Sequence, residues 1–130
     1  MTSVVDLVTQ AKAQIENLTA QQVEGERAAG AVLVDLREPA ELQREGMIEG
    51  ALHAPRGMLE FYADPSSPYH REELEPGRRT VLYCASGGRS ALGAVALAAL
   101  GYEDVAHLDG GIKTWRAEGR PVIAPSGGPS

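Results

Sequence analysis

The sequence Thr80-Val81-Leu82-Tyr83-Cys84-Ala85-Ser86-Gly87-Gly88-Arg89-Ser90 predicts a strand, a glycine turn and the start of a helix in immediate succession. The helix continues through a run rich in Ala and Gly and should end at Gly101. Its inward apolar residues are expected to be Leu92, Val95, Ala96, Ala99 and Leu100. Ligands of α/β folds bind beyond the carboxyl ends of strands, and Cys84 lies at such an end.

Predicted strands and helices alternate along the rest of the chain. Apolar runs predict strands at residues 31–34, around Leu52 and at residues 104–108. Helix starts are indicated by capping boxes at Ser3 and Thr19, by Pro39 and by Asp109 as an N-cap. This alternation predicts one α/β domain with a mainly parallel central sheet and helices on both faces.

The boundaries of that domain are expected from the same patterns. We expect a helical extension over residues 1–14, the domain over 15–123 and a disordered tail over 124–130. Residues 62–79 show neither the apolar spacing of a helix nor that of a strand. So long a connection is expected to be either functional or mobile.

Composition and charge exclude several classes of protein. The chain has 130 residues, enough for one domain, and 12 basic against 18 acidic residues give a net charge of −6. A negative charge argues against nucleic-acid binding, and the longest apolar run, 91–100, is too short to cross a membrane. A single cysteine excludes an internal disulfide and predicts a reducing, cytoplasmic setting.

The loop that starts at Cys84 has the composition of an anion-binding turn. Gly87 and Gly88 allow successive backbone amides to point inward, and the following helix adds its positive N-terminal end. With Arg89 at the rim, this field favours the nucleophilic thiolate. The alternative is that Cys84 is an inert, buried side chain, as lone cysteines often are. The combination of cysteine, glycines, arginine and helix start favours a function.

The loop from Cys84 to Arg89, with C-x4-R spacing, resembles the persulfide loop of single-domain rhodaneses, a family of sulfurtransferases. Three more segments resemble signatures of that family, in the same order: residues 35–41, 46–51 and 108–115. The sequence departs from the family pattern at Met47, where His is usual, and at His53, where Asn is frequent.

The resemblance implies a single rhodanese-like domain and a covalent mechanism. Cys84 is expected to take the outer sulfur of a donor anion such as thiosulfate and to carry it as a persulfide. The amides of residues 85–89 would hold that sulfur until a thiol, cyanide or a protein acceptor removes it. Arg89 is expected to steer the donor, and Ser86 and Ser90 to donate hydrogen bonds, unless Ser90 caps the helix. No metal or organic cofactor is implied.

Other polar residues are expected to be structural. Asp35 and Arg37, in the first signature, are interpreted as a pair that holds the adjoining loop. His53, His70 and His107 are too scattered to predict a metal site and are expected in loops or at strand ends.

Two alternatives to a sulfurtransferase remain at this point. In phosphatases and arsenate reductases of the same fold, the resembling loop has the pattern C-x5-R. It is one residue longer and accommodates a tetrahedral anion. A regulatory module or a persulfide carrier would share the fold without rapid turnover, although an inert module has no need of Cys84.

Overall fold

Five short parallel strands form a central sheet in the computed structural model, which describes residues 1–125. The strands are β1 (Glu16–Leu18), β2 (Val32–Asp35), β3 (Leu52–His53), β4 (Thr80–Tyr83) and β5 (Val105–Leu108). Their order across the sheet is β1-β5-β4-β2-β3, so β4 lies at the centre. Because all pairs are parallel, the carboxyl ends of the strands share one edge of the sheet.

The first three helices of the chain begin where the sequence predicts. They are α1 (Val4–Gln14), α2 (Ala20–Ala28), α3 (Pro39–Glu45), α4 (Leu59–Ala63), α5 (Gly88–Ala99) and α6 (Gly111–Ala117), with a 3-10 turn at Arg56–Met58. The capping boxes of Ser3 and Thr19 are both formed, and Pro39 is the first residue of α3. None of these helices is long and apolar enough to cross a membrane.

The sheet is covered on both faces. Along β4, Val81 and Tyr83 belong to one apolar cluster, which includes residues of α2 and α6, among them Trp115. Leu82 and Cys84 point the other way, into a cluster with residues of α4 and α5. An all-apolar strand is the pattern required by burial on both sides. The predicted α/β class, with a parallel sheet and helices on both faces, is confirmed.

The strand β1 is not predicted from the sequence. Two of its three residues, Glu16 and Asn17, are polar and exposed, and only Leu18 is buried. β1 is an edge strand beside β5, where polar side chains remain in contact with solvent. Its register places Asn17 opposite His107.

The apolar face predicted for α5 is wrong in part. Ala99 and Leu100 are exposed, whereas the buried residues of the helix are Ser90, Ala91, Gly93, Ala94 and Leu97. A Cβ on Gly93 would lie only 2.9 Å from Leu36 Cδ1, beside β2. The small residues therefore face the sheet because they allow the helix to approach it closely.

Residues 64–79 contain neither helix nor strand. They are nevertheless tied to the domain, since the Arg71 amide donates to Tyr62 O at 2.9 Å and Leu74 is fully buried. Of the predicted tail, Ser126–Ser130 lie outside the described residues.

Candidate active site

The turn between β4 and α5 is short and depends on one glycine. β4 ends at Tyr83 and α5 begins at Gly88, so the chain reverses over residues 84–87. Gly87 is the N-cap of α5 and has a φ of 109°, a left-handed conformation that favours glycine. Ser90, considered above as a cap, instead lies within the first turn of α5.

The turn curls around the sulfur of Cys84. The amides of Gly87 and Ser90 donate to Sγ at 3.2 and 3.4 Å. Cys84 is only 1% exposed, so the sulfur is buried, but it is not surrounded by hydrocarbon alone. Two amides and the N-terminus of a 12-residue helix are directed at it. This arrangement is the one expected for an anion-binding loop.

The loop is held from behind by the first turn of α6. The amides of Ile112 and Lys113 donate to the carbonyls of Cys84 and Ala85, at 2.9 and 3.1 Å. Gly111, with a φ of 64°, lies so close that a Cβ there would be 2.4 Å from Ala85 O. These contacts turn the first two loop carbonyls towards α6 and away from the sulfur.

The predicted cap of α6 is wrong. Its N-cap is Gly110, with a φ of 86° and no side-chain hydrogen bond. Asp109 instead forms an ion pair of 2.9 Å with Lys12 of α1. Gly110 and Gly111 both have left-handed φ angles, so the turn into α6 is made by glycine backbone and needs no side-chain cap. The ion pair joins α1 to the edge of the sheet that carries the site.

Arg89 has a partner that was not predicted. Its guanidinium makes two bonds to the Glu41 carboxylate, at 2.7 and 3.0 Å. The hydrogen bonds from Arg89 lower the pKa of Glu41 to about 2, so Glu41 is ionised at neutral pH. The charge of Arg89, whose side chain is 36% exposed, is therefore partly neutralised before any ligand arrives.

Ser90 joins Cys84 to two residues outside the loop. Ser90 Oγ lies 3.5 Å from Cys84 Sγ and 2.8 Å from His107 Nδ1. His107 Nε2 in turn lies 2.7 Å from Asn17 Oδ1. His107 is fully buried within β5, not in a loop or at a strand end, and burial lowers its pKa to about 4. The only signal for His107 in the sequence is its position within an apolar predicted strand.

Asp35 and Arg37 form a buried pair beyond β2. Both are 0% exposed, and Arg37 Nη2 donates to Asp35 Oδ2 at 2.8 Å and to Gly46 O at 2.7 Å. His53 Nε2 lies 2.6 Å from Arg37 O. These contacts join β2, α3 and β3, and none of them involves the cysteine loop.

The opening next to the loop is lined by α1. An open cleft of about 380 Å³ lies between Val5, Val8 and Lys12 on one side and Ser86 and Gly88 on the other. Ser86 is exposed at its edge. Within residues 1–125, no three His, Cys, Asp or Glu side chains are grouped as metal ligands would be.

Comparisons with known proteins agree with this site. A family model for the rhodanese-like domain matches residues 19–118, which is more than half of the chain. The chain belongs to the rhodanese family. It is 38% identical over 96 residues to a sulfurtransferase of Allochromatium vinosum, which covers 74% of this chain and 81% of that protein.

Two further similarities concern activity. This rhodanese is 31% identical over 107 residues to the thiosulfate sulfurtransferase GlpE of Ectopseudomonas mendocina, covering 80% of this chain and 87% of GlpE. It also superposes on a structure from Rhodopseudomonas palustris with a TM-score of 0.87 and 38% identity, covering 92% and 93% of the two chains. That protein is described as being of unknown function and a possible tyrosine phosphatase. Sulfurtransferase relatives support a transferase of the rhodanese kind.

Proposed function

We propose that this rhodanese moves a sulfane sulfur from a small anionic donor such as thiosulfate to a thiol, cyanide or protein acceptor through a persulfide on Cys84. The proposal depends on two hydrogen bonds that backbone amides donate to Sγ, from Gly87 at 3.2 Å and from Ser90 at 3.4 Å. They stabilise negative charge on a sulfur that the start of α5 also faces. A reducing compartment such as the cytoplasm keeps the single cysteine available.

The first half of the reaction loads the enzyme. The Cys84 thiolate attacks the outer sulfur of thiosulfate, an S–S bond forms to Sγ, and the S–S bond of thiosulfate breaks as sulfite leaves with the electron pair. The extra sulfur carries one negative charge. Inward amides of residues 85–89 are the groups proposed to hold it, in the manner of an oxyanion hole.

The second half of the reaction removes the sulfur from Cys84. A nucleophilic acceptor attacks the terminal sulfur, and Cys84 leaves again as a thiolate. The amides of Gly87 and Ser90 then stabilise the leaving group, as they did the nucleophile. The cleft between α1 and Ser86 is the proposed route for donor and acceptor, and Lys12, which pairs with Asp109, is one of the residues that line it.

Mass spectrometry of the intact protein tests the loading step. Incubation with thiosulfate is expected to add one sulfur atom, and cyanide to remove it as thiocyanate. A Cys84→Ser variant keeps the size of the side chain and is expected to fold but to acquire no sulfur. Loading of that variant, or a wild-type protein that never loads, would contradict the proposal.

A phosphatase is the second candidate, favoured by the description of the Rhodopseudomonas palustris structure. The six-residue loop argues against a phosphatase, because the loop typical of cysteine phosphatases is one residue longer. Hydrolysis of an aryl phosphate that depends on Cys84, without any sulfur adduct, would establish the phosphatase. A persulfide carrier would load normally and turn over slowly until its protein acceptor is added.

A further inference from the structure

The amide of Asn17 has a defined orientation. Its nitrogen donates to the backbone carbonyls of Lys12 and Ile15, at 2.9 and 3.2 Å. Its oxygen Oδ1 therefore faces His107 Nε2, 2.7 Å away. An amide oxygen only accepts hydrogen bonds, so Nε2 must carry the hydrogen.

This tautomer fixes the direction of the next bond. In a neutral imidazole with its hydrogen on Nε2, Nδ1 has a free lone pair and accepts from a donor. The donor is the hydroxyl of Ser90, at 2.8 Å. A hydroxyl has a single hydrogen, and once it points at His107 only the oxygen lone pairs of Ser90 face Cys84 Sγ, 3.5 Å away.

His107 has the surroundings of a neutral imidazole. Its side chain is 0% exposed, and burial lowers its pKa to about 4. The charged side chains nearest to it are Lys12 and Asp109, which pair with each other at 2.9 Å and act on the imidazole in opposite directions. At neutral pH, His107 is an acceptor at Nδ1.

We propose that His107 is a positioning residue that sets the direction of the Ser90 hydroxyl and thereby the balance between thiol and thiolate at Cys84. The Ser90 oxygen accepts the S–H hydrogen of the thiol but offers no hydrogen to the thiolate. The backbone amides of Gly87 and Ser90 act in the opposite direction, towards the thiolate. On ionisation the S–H bond breaks and the proton passes to solvent. The inference rests on Cys84 as the nucleophile of the proposed function.

Comparing a replacement of His107 that keeps an acceptor with one that has none tests this assignment. Asn and Leu have nearly the same size, and Asn places an oxygen acceptor near the position of Nδ1, whereas Leu has none. In His107→Leu the Ser90 hydrogen is free to turn to the sulfur and stabilise the thiolate. In His107→Asn the hydrogen remains held, as in the wild type.

The measurement is the pH dependence of alkylation by iodoacetamide, which reports thiolate directly and needs no sulfur transfer. Cys84 is the only cysteine, so no other thiol contributes. Below the midpoint of the pH profile, His107→Leu is expected to react about tenfold faster than wild type or His107→Asn, as one hydrogen bond to an ion would produce. Equal rates for the two variants, or a slower His107→Leu, would overturn the assignment.

Serine supplies the decisive control. When Ser90→Ala is added to both variants, the difference between Leu and Asn at position 107 is expected to vanish; a difference that persists contradicts a path through Ser90. The ¹⁵N spectrum of the unsubstituted protein should show hydrogen on His107 Nε2, and hydrogen on Nδ1 would overturn the inference even if the variants fail to fold. If the alkylation rates are as expected but thiosulfate adds no sulfur to Cys84, the proposed function is wrong and the role of His107 still holds.

Discussion

Glu41 determines how much of the Arg89 charge is left for an anionic ligand. Its carboxylate takes both outer nitrogens of the guanidinium and also accepts the amide of Glu38 at 2.9 Å. Arg89 is therefore held in place by a carboxylate whose negative charge lies next to the cysteine loop. The sequence indicates a cation at the rim of the loop but not its partner, because it does not show which carboxylate α3 brings there.

Neutralising that carboxylate is expected to improve binding of the donor. Glu41→Gln keeps the size of the side chain and removes the charge, so the KM for thiosulfate should fall about threefold, the scale of one partly exposed ion pair. Glu60→Gln is the matched control, since Glu60 pairs with Arg56 at the same distance, 2.7 Å, outside the cysteine loop. Steady-state kinetics with cyanide as acceptor measure both. An unchanged or higher KM in Glu41→Gln contradicts this role.

At the scale of elements, the site depends on the contact between α6 and the loop. Gly111 and Gly119 both have left-handed φ angles, 64° and 76°, at the start and just beyond the end of α6. A Cβ on Gly111 would lie 2.4 Å from Ala85 O, whereas a Cβ on Gly119 would meet nothing within 4 Å. Substitutions at the two glycines therefore distinguish the effect of backbone strain alone, at Gly119, from strain combined with displacement of the loop, at Gly111.

Alanine at these positions gives a prediction with its own control. Gly119→Ala is expected to lower the free energy of unfolding by about 1 kcal/mol and to leave sulfur loading unchanged, because only the backbone is strained. Gly111→Ala should cost about 3 kcal/mol or more and slow loading, because Ala85 must move. Urea unfolding and the rate of the mass adduct measure the two effects. Equal loading rates would show that α6 does not hold the loop.

Elements were predictable where the signal is local. The sequence predicts β4, the turn and α5 because an apolar run, a glycine pair and a helix start follow one another within residues 80–90. It does not predict β1, since an edge strand with Glu16 and Asn17 exposed has no apolar period. The sequence pattern places the larger side chains of α5 towards the core, whereas the close contact at Gly93 requires small ones.

At the scale of the whole molecule, the partners of the site come from distant parts of the chain. Cys84, Gly87 and Arg89 were predictable because they lie in one segment. Glu41 is 48 residues from Arg89, and Asn17 is 90 residues from His107. Only the strand order, which places β1 beside β5, brings the second pair together. Periodicity carries no information about such pairs.

Burial of a neutral His107 makes the stability of the whole protein depend on pH. Its pKa is about 4 in the folded chain and about 6.5 in an unfolded one, so the unfolded state binds more protons between these values. Stability conferred by the neutral imidazole is complete above pH 6.5 and is lost as the pH falls towards 4. The loss is expected to be about 3 kcal/mol.

The variant His107→Asn isolates this contribution, because Asn does not titrate. Urea unfolding of wild type and variant at several pH values gives the two curves, and their difference removes the titration of every other group. We expect the wild-type curve to fall more steeply by about 3 kcal/mol between pH 6.5 and 4. Parallel curves would mean that the pKa of His107 is the same in the folded and the unfolded protein.

The recessed position of the single thiol limits what can react with it. A disulfide requires two sulfur atoms about 2.0 Å apart, and a cysteine that is 1% exposed does not approach its counterpart in a second molecule without opening the turn. We expect air-exposed protein to remain free of cross-linked dimers. We expect a protein acceptor of the sulfur to reach the loop with a thiol that protrudes from its own surface.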